Sequence, residues 1–142
     1  MRDMVQNHLL QLLCLVSMEP PAKNQPDFIH DEKLKVLRCL KPIDRSDVAS
    51  QTVRGQYIEG HIEGAEVPGY LSEEDAKAGK SQTETFVTIK AEIENNRWQG
   101  VPFYLRTGKR MRRRYSEIII QFKTIGHRLF DAGSGRLATT SL

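Results

Sequence analysis

Phe86-Val87-Thr88-Ile89-Lys90-Ala91-Glu92-Ile93-Glu94 alternates without a break. Val87, Ile89, Ala91 and Ile93 fall on one side, and Phe86, Thr88, Lys90, Glu92 and Glu94 on the other. Successive side chains of a strand point to opposite faces, so this pattern belongs to a strand half-buried against a core. An antiparallel sheet with one face covered and one face wet has this signature. Downstream, residues 101–106 and 117–123 carry further strand patterns, and upstream residues 53–59 alternate as well.

The N-terminal third reads differently. Met1, Val5, Leu9, Leu12, Leu13 and Val16 recur at three- and four-residue intervals, which predicts a helix over residues 1–18 stopped by Pro20-Pro21. A second helix is expected over residues 31–40, with Leu34, Leu37 and Cys39 as its apolar positions. Asp31-Glu32 near its start and Arg38 and Lys41 near its end suit the helix dipole. Residues 46–50 carry a short helical turn, and residues 60–80, rich in Gly, Glu and Lys, read as a mobile loop. Helices followed by strands on short connections make the fold class α+β with a mainly antiparallel sheet. Residues 131–142, with Gly133-Ser134-Gly135, lack strand periodicity and read as a frayed tail.

Hydrophobic residues make up 39% and charged residues 27% of the 142 positions, a balance that excludes intrinsic disorder and leaves room for one core. A net charge of +3 is too small to imply a nucleic-acid or membrane partner. Its distribution is more informative. Arg106, Lys109, Arg110, Arg112, Arg113 and Arg114 place six cations in nine positions, a natural seat for an acidic ligand. No apolar run approaches the roughly 20 residues that span a bilayer. Cys14 and Cys39 lie at helical spacing among apolar residues, without a Cys-x-x-Cys pair, and read as reduced core residues of a cytoplasmic protein.

Two candidate sites emerge. Asp3, Asn7 and His8 put a carboxylate, an amide and an imidazole on the first helix. By helical spacing His8 shares a face with Val5 and Leu12, which is equally the pattern of a core-edge histidine. Asp3 in a first turn opposes the helix dipole with or without a ligand. In the second site Gly108 permits a turn between Arg106 and Lys109, and Lys109 and Arg114 supply donors suited to a phosphomonoester. A solvated basic loop at a sheet edge, or a nucleic-acid patch, would carry the same charges, although no aromatic stripe accompanies them. His30, His61 and His127 are too scattered for a metal.

The strings Arg2-Asp3-Met4-Val5-Gln6-Asn7-His8 and Gly100-Val101-Pro102-Phe103-Tyr104-Leu105-Arg106-Thr107-Gly108-Lys109-Arg110-Met111 resemble the glucose-6-phosphate dehydrogenase family. Arg54-Gly55-Gln56-Tyr57, Pro68-Gly69-Tyr70, Thr83-Glu84-Thr85-Phe86 and Arg97-Trp98-Gln99 extend the likeness over roughly residues 1–130. The resemblance implies the family's C-terminal, substrate-binding domain, incomplete in its sheet and followed by a divergent tail over residues 131–142. The N-terminal Rossmann domain is expected to be absent, as no Gly-x-Gly-x-x-Gly occurs. It further implies His8 as general base, Asp3 as a sugar contact, and Lys109 and Arg114 as substrate-binding cations. NADP would be the cofactor, with no cofactor-binding residue in this chain. The implied reaction oxidises glucose 6-phosphate to 6-phosphoglucono-1,5-lactone in the pentose phosphate pathway, in the cytoplasm, by a homo-oligomer associating through the sheet, with neither nucleic acid nor membrane as partner. The chain by itself is expected to be inactive. A non-catalytic remnant that binds phosphosugar or self-associates through its sheet is the alternative.

Overall fold

The computed structural model describes residues 1–76 and 81–123. The chain divides into two units, Met1–Met111 and Arg112–Leu142. The elements lie in the first. A π-helical stretch, Met4–Leu9, runs directly into helix α1, Leu10–Ser17. Helix α2 is Pro26–Arg38 and α3 is Val48–Gln51. Strands are β1 Thr52–Gly55, β2 Gly60–Ile62, β3 Ala65–Val67, β4 Phe86–Ala91 and β5 Phe103–Gly108.

The alternating stretch is the centre of the main sheet, whose order is β1-β4-β5, both pairings antiparallel. Val87 and Ala91 are buried on the expected face, whereas Ile89 between them is only partly so, as are Thr88 and Lys90 on the other face. Just beyond β4, Ile93 enters the core at 1% exposure and bridges Leu40. Leu13, Cys14, Val36 and Ile93 form the buried centre, and Leu10, Met18, Leu37, Trp98, Phe103 and Leu105 pack around it. Each fully buried aliphatic side chain there contributes about 1.5–3 kcal/mol. Burial also raises the pKa of the Cys14 thiol, against a smaller opposing pull from Lys33, so it stays protonated as a core group.

Several boundaries differ from the sequence-based expectation: β1 stops at Gly55 rather than running to residue 59, and β5 covers Phe103–Gly108 rather than residues 101–106. Helix α2 begins at Pro26 rather than at residue 31, because a proline at the first helical position loses no hydrogen bond and pre-sets φ. The expected loop over 60–80 contains the β2–β3 hairpin and two 3₁₀ turns, Tyr70–Ser72 and Glu74–Ala76. Glu63 and Gly64 have φ of 52° and 84°, the paired positive values of a two-residue hairpin turn that matches strand twist. Residues 77–80 lie outside the described residues.

In the second unit the described residues 112–123 form no regular strand, contrary to the expectation for residues 117–123. Ile119 makes a single β-bridge, and one bridge does not supply the run of backbone hydrogen bonds that a strand needs. Ile119 and Phe122 are 62% and 85% exposed there. The expected tail over 131–142 lies outside the described residues. No described helix is long and apolar enough to cross a membrane, and the described residues hold no metal-binding group of His, Cys, Asp or Glu.

Candidate active site

The first site is built on the π-helical stretch. The Leu10 amide donates to the Val5 carbonyl, a five-residue step instead of the four of an α-helix. That wider turn shifts its side chains away from the spacing that would have aligned His8 with Val5 and Leu12. His8 is exposed, and so is Leu12 on the same expected face, so the core-edge histidine inferred from a 3.6-residue period does not form. Single-turn π segments concentrate at functional sites.

Asp3 organises this surface. Its Oδ1 accepts a hydrogen bond from Asn7 Nδ2 at 2.5 Å, and its Oδ2 stands 3.9 Å from His8 Nε2. The second distance is too long for a direct hydrogen bond, so carboxylate and imidazole are neighbours with free capacity for a polar ligand. Their side chains are 73% and 58% exposed, which leaves both within reach of solvent-borne substrate. Asn7 is thus a partner that orients Asp3, a role that sequence spacing alone left open.

The second site lies where β5 ends, and the π-helical stretch packs against that strand. Gly108 is opposite Phe86 in the β4–β5 pairing. A Cβ on it would stand 2.9 Å from both Phe86 Cδ2 and Met111 Sδ, so glycine is required here for close packing rather than for backbone freedom. The Lys109 amide then donates to the Thr85 carbonyl at 2.8 Å. Among the described residues no hydrogen bond or ion pair engages the Lys109 ammonium, and the residue is exposed.

Arg110 follows with φ of 53°, a left-handed conformation that costs a non-glycine residue about 1–3 kcal/mol unless its surroundings hold it. Its guanidinium donates to Glu73 Oε1 and lies over the Tyr57 ring, 5.2 Å from the centroid. Sequence reading placed Arg110 in the cation run but missed Glu73, 37 residues away, and Tyr57. No local signal joins them. Arg114 belongs to the second unit, where it is exposed in an irregular stretch.

Trp98 packs rather than binds. Its indole donates to the Ser17 carbonyl at 2.8 Å and its ring meets Phe103 edge-on at 5.3 Å, tying the end of α1 to the sheet.

Comparison with known proteins matches residues 1–142 to the family model described as glucose-6-phosphate dehydrogenase, C-terminal domain. A glucose-6-phosphate 1-dehydrogenase from Rhizobium meliloti strain 1021 is 59% identical over 142 residues, all of this chain and 28% of that protein. The Dickeya dadantii strain 3937 enzyme of the same name is 56% identical over 142 residues, all of this chain and 29% of its own length. The chain therefore spans under a third of the length of these relatives. Among solved structures, a glucose-6-phosphate dehydrogenase in complex with its substrate glucose 6-phosphate superposes with a TM-score of 0.76 at 40% identity, covering 91% of this chain and 25% of that one. Its α+β C-terminal domain matches the architecture described above.

Proposed function

The chain belongs to the glucose-6-phosphate dehydrogenase family through its C-terminal domain, and from that premise we propose that it carries the substrate side of the oxidation of glucose 6-phosphate to 6-phosphoglucono-1,5-lactone, with NADP as hydride acceptor. The observation that carries this reading is the cluster of Asp3, Asn7 and His8 on a π-helical stretch packed against β5, the strand that ends at the Lys109 turn.

Oxidising the C1 hydroxyl of the sugar requires a base for its proton. The His8 imidazole accepts it, and a positioned general base of this kind contributes roughly 10²–10⁴-fold. Asp3, steadied by Asn7, accepts hydrogen bonds from ring hydroxyls and sets the orientation of C1. Lys109 meets the phosphate dianion as a compact charge. Both described sheets are antiparallel, whereas the βαβ unit that cradles a dinucleotide pyrophosphate needs parallel strands. The described residues form no such βαβ unit, and the roles proposed here lie on the sugar side of the reaction.

In this reading the protein works in the cytoplasm, in the pentose phosphate pathway, as a homo-oligomer associating through the sheet. The test replaces the matching stretch of the Rhizobium meliloti relative with residues 1–142 and follows NADPH formation with glucose 6-phosphate. Substrate-dependent turnover that His8→Asn lowers roughly 10²–10⁴-fold is the expected result. An active chimera indifferent to His8→Asn overturns the assignment.

A further inference from the structure

Lys109 sits between two anchors. On its N-terminal side the amide is bonded to Thr85, a residue 3% exposed whose own amide donates to Gly55 at 2.8 Å and whose Oγ1 accepts from the Tyr57 amide at 2.9 Å. On its C-terminal side Arg110 is bonded to Glu73 and stacked on Tyr57, and the Tyr57 hydroxyl donates to the same Glu73 Oε1 at 3.3 Å. The Tyr70 amide donates to the Tyr57 carbonyl at 3.0 Å, and the two rings meet edge-on at 5.8 Å. Glu73 therefore reaches Arg110 from a segment already fastened to Tyr57.

A lone surface ion pair contributes little. Here one carboxylate oxygen serves two donors while the guanidinium also stacks, so the contact is a small network and not an isolated pair. It closes over a residue in the left-handed region, a conformation that persists where its surroundings enforce it. It also occupies the cation adjacent to Lys109. Of the two neighbouring charges, one is committed to Glu73 and the other is left for solvent and ligand.

We propose that Glu73 and Arg110 are positioning residues that clasp the 108–111 turn onto Tyr57 and thereby hold Lys109 in its phosphate-binding conformation. The inference rests on the reading of Lys109 as a phosphate ligand. It assigns Arg110 to the protein side of that site, with no direct contact to the phosphate.

Charge alone and the clasp make opposite forecasts for Glu73→Gln. Removing a carboxylate near a dianion site strengthens binding if only electrostatics matter, whereas freeing Arg110 and the turn weakens it if the clasp positions Lys109. The full 142-residue chain is titrated with glucose 6-phosphate by calorimetry. Glu73→Gln is expected to weaken binding roughly three- to tenfold, and Arg110→Lys, which keeps the charge but loses the planar stack, to weaken it less. In a Lys109→Ala background, Glu73→Gln is expected to have no further effect. Tighter or unchanged binding by Glu73→Gln, or unaltered affinity in Arg110→Lys, overturns the clasp while Lys109→Ala still weakens binding. No binding by the unaltered chain, or no loss in Lys109→Ala, overturns the phosphate-ligand reading and the clasp with it.

Discussion

Gly108 faces Phe86 across the β4–β5 pairing so closely that a single added methyl would come within 2.9 Å of the ring. The turn bearing Lys109 is thus seated on the central strand of the sheet, and the strand that defines the fold also sets where the cation stands.

Gly108→Ala is expected to destabilise the chain by about 1–3 kcal/mol, since both Phe86 and Met111 must give way. Thermal unfolding followed by circular dichroism measures it. An unchanged melting temperature would mean that the ring and the thioether move aside freely.

In the chimeric dehydrogenase, His8→Asn is expected to lower kcat roughly 10²–10⁴-fold with little change in KM, because the proton is transferred only in the transition state. Steady-state kinetics over substrate concentration separates the two parameters. A rise confined to KM would make His8 a binding residue instead.

Lys109→Ala is expected to raise KM for glucose 6-phosphate roughly ten- to a hundredfold while kcat changes little. It loses one charge-assisted contact to a phosphate remote from C1, held similarly in ground and transition states. The same kinetic assay decides it, and a loss confined to kcat would contradict it.

Ile93→Ala is expected to cost about 2–5 kcal/mol, as Ile93 is 1% exposed at the centre of the cluster joining both helices to the sheet. Urea unfolding reports the change in midpoint. A shift equivalent to a surface substitution would place the core elsewhere.

Lys41 and Glu92 tie the end of α2 to the sheet through a 3.3 Å ion pair and a 2.9 Å backbone hydrogen bond. Hydrogen bonding to Lys41 lowers the pKa of Glu92, and hydrogen bonding to Glu92 raises that of Lys41. A lowered carboxylate stabilises above its unfolded pKa of about 4.3 and loses that contribution as pH falls through the folded value; a raised ammonium stabilises below about 10.4 and loses it as pH rises through its folded value. The stability difference between the unaltered chain and Lys41→Met should therefore be flat across neutral pH, shrinking below about pH 4 and above about pH 10.4. Urea midpoints across that range test the profile, and a difference that grows in acid would reverse the assignment.

Much of this protein was legible in its residues because the relevant signals are local. Alternation over residues 86–94 encodes a strand through the two-residue repeat of the backbone, and Leu9, Leu12, Leu13 and Val16 encode a helix through contacts one turn apart. The strings around His8 and Lys109 likewise marked the family and the candidate residues. Tertiary structure decided what depends on distant partners. It wound residues 4–9 into a π-helical stretch, left His8 exposed, started α2 on a proline, withheld a strand from residues 117–123, and joined Glu73 to Arg110. Local periodicity records what a residue's own turn or strand requires, whereas a bond across 37 positions exists only once the sheet has brought its two ends together.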